Sequence, residues 1–145
     1  MVSKMELGTF GSVLKFAMEM ENEVIEFYRK TSTTLNDQKV AGLFTEFVNR
    51  GEKRVKTLER VRRENTTEMI LEPIVGFDSN EYPVNTAIPD KADEKALREI
   101  ALDIESTLER FYIAAAQKIE FLSEAAYAFE LLAEKNTEAK KHLSQ

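Results

Sequence analysis

The chain contains no cysteine. Disulfides, thiolate zinc sites, iron–sulfur clusters and cysteine nucleophiles are therefore excluded together. Histidine is almost as scarce: His142, close to the C-terminus, is the only one. No mechanism needing two imidazoles from one chain fits, and no Ser/His/Asp triad can be assembled around a terminal histidine. A basic surplus is also missing. Lys+Arg is 20 against Asp+Glu 26, a formal charge of −6, which disfavours a dedicated nucleic-acid binder. There is no phosphate-cradling glycine loop. No run approaches the roughly 18 apolar residues of a membrane span, and Met1-Val2-Ser3-Lys4-Met5-Glu6 forms no apolar h-region. The expected setting is cytoplasmic, with no membrane partner.

What is present is helical patterning. With 145 residues, 43% hydrophobic and 32% charged, the chain holds enough apolar material for one core and too much for disorder. Phe10, Val13, Leu14, Ala17, Val24 and Tyr28 recur at the spacing of one helix face. Thr9 or Ser12 can start that helix. After the capping residues Asn36-Asp37, a second stripe runs Val40, Phe44, Phe47, Val48, Gly51, Val55, Leu58. A third opens near Asp90 or Asp93 and continues through Leu97, Ile100, Ala101, Ile104, Leu108, Phe111, Tyr112, Ala115 and Ile119. Ser123 is the expected cap of a fourth, with Ala125, Phe129, Leu132, Ala133, Asn136 and Leu143.

All three prolines, Pro73, Pro83 and Pro89, fall in one connection, because proline removes a backbone donor and clashes inside helices. That connection also carries Ile70, Leu71, Ile74, Val75, Phe77, Tyr82 and Ile88, so it is expected to lie against the bundle. The other two links are short, as antiparallel neighbours require. The pattern predicts one all-α domain over 1–145, an antiparallel four-helix bundle with helices at about 9–33, 37–65, 91–120 and 123–143 and one long crossover at about 66–90.

The two halves repeat. Glu21 stands to Glu105 as Phe27-Tyr28 stands to Phe111-Tyr112, at one constant offset. Phe44, Phe47, Val48 and Leu58 match Phe129, Leu132, Ala133 and Leu143 one residue out of step with it. Glu21 and Glu105 each sit inside an apolar stripe, and the repeat predicts that they meet across the bundle axis. Two adjacent buried carboxylates need a metal cation, a basic side chain or a shared proton.

Ala17-Met18-Glu19-Met20-Glu21-Asn22-Glu23-Val24-Ile25-Glu26-Phe27-Tyr28 resembles the first helix of the ferritin-like superfamily, most closely its rubrerythrin-like branch. Ala101 to Tyr112 resembles its third. The resemblance spans nearly the whole chain, crossover included. It implies a two-iron centre held by one Glu from each of helices one and three and a Glu-x-x-His from each of helices two and four. Glu21 and Glu105 occupy the first two ligand positions. The other four depart: counted from Phe44, the Glu and His positions fall on Gly51 and Arg54, and counted from Phe129 they fall on Asn136 and Ala139. A one-residue slip offers Glu52, with Val55, off the stripe. The implied two-iron site is thus degenerate, and no rubredoxin-like segment supplies electrons.

Arg54 is the expected neutraliser of the two glutamates, standing where the family places an imidazole, since a guanidinium forks well onto carboxylates. One glutamate would then keep a proton. Asn136 would add amide hydrogen bonds. The bland alternative is Arg54 snorkelling to the surface. Tyr28 and Tyr112 are expected to pack in the core with their hydroxyls bonded, and Met18 and Met20 to fill core space or a contact surface. Glu138 and His142 read as a solvated pair. Arg50, Lys53, Lys56, Arg60, Arg62 and Arg63, interleaved with Glu52, Glu59 and Glu64, read as solvated helix surface rather than a nucleic-acid site.

The leading expectation is a ferritin-like module without two-iron chemistry, non-enzymatic, needing no cofactor, binding an unidentified protein or small molecule. It would pair as a homodimer through Phe16, Ile25, Phe27, Phe121 and Tyr127. The alternative is an oxidase or peroxidase with iron, manganese or zinc at Glu21, Glu105 and Glu52. A third reading places a small-molecule pocket under the crossover.

Overall fold

The structure, a computed structural model, describes residues 6–65 and 73–145. It is an all-α four-helix bundle: α1 (Phe10–Ser32), α2 (Gln38–Glu64), α3 (Glu94–Lys118) and α4 (Ser123–Leu143). Thr9 opens α1 with a capping box in which its hydroxyl accepts from the Ser12 amide while Ser12 Oγ accepts from the Thr9 amide, both at 3.0 Å. Asp37 caps α2 through the Lys39 and Val40 amides, and Asp93 caps α3 through the Ala96 amide at 2.9 Å.

The fourth helix starts differently from expectation. Leu122, not Ser123, holds the N-cap position, and no side chain caps it. The link is a tight turn, closed by the Leu122 amide on the Ile119 carbonyl at 2.8 Å. Leu122 packs part-buried against the core, so an apolar anchor takes the place of a capping hydroxyl.

The apolar stripes turn inward as one continuous core; α1 packs on α2 and α3 on α4 as two helical hairpins. Val48, Val55 and Ile100 sit at its margin, half-buried. Met20 is fully buried and Met18 is packed against the core.

The described part of the crossover is strapped to the bundle. The Leu7 amide donates to the Phe77 carbonyl (2.8 Å) and the Ile74 amide to the Gly8 carbonyl (2.9 Å). Phe77 stacks on Phe111 with ring centroids 5.6 Å apart, and Tyr82 meets the same ring edge-on. Ile74, Phe77 and Tyr82 are buried, whereas Val75 and Ile88 are exposed. Ile70 and Leu71 lie outside the described residues. Gly76 turns this segment with φ +72°, a left-handed conformation that side chains disfavour. Among the described residues, no helix is long and apolar enough to cross a membrane.

Candidate functional site: a buried carboxylate–guanidinium network

Midway along the bundle, polar side chains from all four helices meet in the core. Glu21 and Glu105 are fully buried, Asn136 is fully buried, and Arg54 is 3% exposed. Such groups persist in an apolar interior only when paired and hydrogen-bonded.

Arg54 Nε donates to Glu21 Oε2 at 2.9 Å, Nη2 to Asn136 Oδ1 at 2.9 Å, and Nη1 to the Leu132 carbonyl at 3.1 Å. The guanidinium therefore joins α2 to α1 and α4 rather than forking onto both acids. Asn136 passes the chain on, its Nδ2 donating to Glu105 Oε1 at 2.8 Å.

The cation on Glu105 is Arg50, which sequence reasoning assigned to the solvated basic run. Its Nη1 and Nη2 donate to Glu105 Oε1 (3.0 Å) and Oε2 (2.8 Å), a bidentate pair, and its side chain is only 17% exposed. Arg50 also lies 4.4 Å above the Phe47 ring centroid. The rest of that run behaves as surface: Lys53, Lys56, Arg60, Arg62 and Arg63 are exposed, and Arg60 pairs with Glu64 at 3.5 Å. A signal was available. Arg50 is one turn from both Phe47 and Arg54 and borders Gly51 on the buried stripe, and two buried carboxylates call for two cations. The shared proton is unnecessary at Glu105.

The tyrosines close the network reciprocally. Tyr28 on α1 donates to Glu105 Oε2 on α3 at 2.7 Å, and Tyr112 on α3 donates to Glu21 Oε2 on α1 at 2.5 Å. Each half of the repeat thus supplies the phenol for the other half's acid. The pseudo-twofold relation holds for α1 and α3 but fails for α2 and α4, since both arginines come from α2. Within this network, hydrogen bonds link every pair of helices except α1 with α4. Only Glu21 Oε1 and Arg50 Nε are buried without a partner among the described side chains.

Electrostatics follow from this geometry. Burial works to raise the Glu105 pKa, but the charge and hydrogen bonds of Arg50, then Arg54 and Asn136, outweigh it and hold it below the ordinary glutamate value. Burial, reinforced by the Glu105 charge, pushes the Tyr28 phenol well above its usual value. Burial and the Glu21 charge do the same to Tyr112. Burial opposes the charge on Arg50, yet Glu105 prevails and makes that guanidinium harder to deprotonate.

The donor set does not fit the two irons that the family resemblance implies. Both Glu105 oxygens are taken by Arg50, Tyr28 and Asn136. Gly51 faces Ile25 so closely that a Cβ there would stand 2.5 Å from Ile25 Cγ1, leaving no room for a carboxylate side chain. Among the described residues, no three His, Cys, Asp or Glu come together as a metal site. Glu52 is exposed, so the alternative trio with Glu21 and Glu105 does not assemble; the helical turn that buries Gly51 and Arg54 carries Glu52 outward. Glu138 and His142 are exposed as well, and Glu138 pairs with Lys135 at 3.5 Å. Three of the five expected dimer-seam residues, Phe16, Ile25 and Phe27, are buried within the chain itself, leaving Phe121 and Tyr127 outside. α1 packs against both α2 and α3, with Phe16 on Phe111, Ile25 on Gly51 and Phe27 on Phe44, so its apolar arc is broader than one stripe.

Compared with family models, curated proteins and solved structures, the chain matches none.

Proposed function

We propose that this chain is a ferritin-like bundle whose paired acids serve an internal ion-pair clasp, and that it acts as a non-enzymatic binding or structural module. The observation that carries this reading is the pairing itself: Arg50 grips Glu105 through both oxygens while Arg54 holds Glu21. Two acids and two guanidiniums balance in charge, so the core has no electrostatic demand for a dication. The clasp ties the two hairpins together, where the α1–α3 and α2–α4 contacts are sparser than those within each hairpin.

Calorimetric titration with iron(II) under anaerobic conditions, manganese(II) and zinc(II) tests the reading. No stoichiometric binding at micromolar metal is the expected result. Stoichiometric sub-micromolar binding that disappears in Glu21→Gln and Glu105→Gln would overturn it and restore the oxidase or peroxidase alternative.

A further inference from the structure

The outward faces of α3 and α4 leave a shallow groove remote in character from the charged core. Its floor is made of small residues, Ala116, Ala126 and Ala133, each nearly buried. Two stretches of the groove share Ala116, Gln117 and Glu130, so it runs continuously from the Ile113 level to the α3–α4 turn. Ile113 (48% exposed) and Tyr127 (61%) form its apolar walls, and Leu131 (41%) stands one turn past Tyr127.

The rim is of one sign. Glu120, Glu130 and Glu134 line it, and no lysine or arginine does. The nearby cations are committed elsewhere: Lys118 to the Val75 carbonyl, Lys135 to Glu138 and Lys140 to Glu109. A small-residue floor lets another helix approach to the usual 8–10 Å between axes, apolar walls reward one apolar face, and the acidic rim rewards flanking cations.

We propose that the α3–α4 groove docks a cationic amphipathic helix of a partner protein. A second copy of this chain fits it poorly. Groove against groove about a twofold axis sets Glu120, Glu130 and Glu134 against their own counterparts. The cationic α2 surface, with Lys53, Lys56 and Arg60, offers no large exposed apolar side chain to fill it. The groove is a different surface from the central network, so this assignment stands or falls independently of metal binding there.

The test uses the full chain and a labelled helical peptide of about four turns with leucines on one face and lysines on the other, read by fluorescence anisotropy at physiological ionic strength. The same peptide with glutamate in place of lysine is the comparison. The leucine–lysine peptide should bind and the leucine–glutamate peptide should not. Tyr127→Ser, and separately Glu130→Lys with Glu134→Lys, should weaken binding at least about tenfold. Glu46→Lys with Glu52→Lys, the same charge change at exposed α2 positions, should leave it unchanged. Absence of binding, equal binding of both peptides, or equal weakening by the α2 control would overturn the proposal. So would sedimentation showing a dimer of the native chain that Tyr127→Ser dissociates, since a second copy would then cover the groove.

Discussion

Replacing Arg54 with methionine keeps most of the side-chain volume and removes only the guanidinium. Three hydrogen bonds go with it, to Glu21, Asn136 and the Leu132 carbonyl. Glu21 Oε1 has no partner to begin with, so its carboxylate would be left with the Tyr112 hydroxyl alone. Removing one member of a buried pair costs about 3–5 kcal/mol. The folded state of a domain this size stands only about 5–15 kcal/mol below the unfolded one. At about 2–4 °C per kcal/mol for slightly longer chains, and more for shorter ones, Tm should fall by roughly 10–20 °C. The informative step is the second one. Adding Glu21→Gln to Arg54→Met removes the stranded charge while keeping an acceptor for Tyr112. The residual defect is then the orphaned Asn136 oxygen, worth about 1–3 kcal/mol, so the double variant should regain about 2 kcal/mol over the single one. Urea unfolding followed by circular dichroism measures both differences. A loss under about 1 kcal/mol in Arg54→Met, or a double variant less stable than the single, would refute the clasp and favour a guanidinium that reaches water.

Three further outcomes are expected. The lowered Glu105 pKa supplies stability that is complete above the ordinary glutamate value of about 4.3 and is withdrawn as pH falls through the folded value; a Glu105 carboxyl titrating above 4.3 by carbon-13 NMR would contradict the structure. The raised Tyr28 and Tyr112 values act at the other end, with stability complete below about pH 10 and lost as pH rises through the folded values, visible as alkaline unfolding with phenolate absorbance appearing only on unfolding. At Gly51, alanine gains about 1 kcal/mol of helix propensity but meets Ile25 Cγ1 at 2.5 Å, an overpacking cost of about 1–3 kcal/mol. Gly51→Ala should therefore destabilise the native chain and stabilise the Ile25→Ala variant, a change of sign that urea midpoints resolve.

The fold was legible because its determinants are local and periodic. Helix faces, caps at Asp37 and Asp93, and the clustering of Pro73, Pro83 and Pro89 all act within a few residues of themselves. Glu21 and Glu105 were legible for the same reason, being charged residues in apolar register. Arg50 was not, because it shares a run with five exposed cations, and its direction depends on an acid on α3, beyond the long crossover. The start of α4 depended on how Leu122 packs, which no short pattern encodes. Phe16, Ile25 and Phe27 lie off the main stripe of α1, and only the third dimension shows that neighbours close over them.

The contact between Gly51 and Ile25 also limits which side chains this level of the bundle accepts. An acid at position 51 is obstructed while isoleucine remains at 25, and trimming the isoleucine first opens a hole in the interface between α1 and α2. Two changes would therefore have to be made together to place an oxygen ligand at that level of the bundle. The packing of one methylene against one backbone thus acts as a lock between neighbouring helices, and position 51, beside Arg50 and Arg54, admits no third carboxylate unless both residues change.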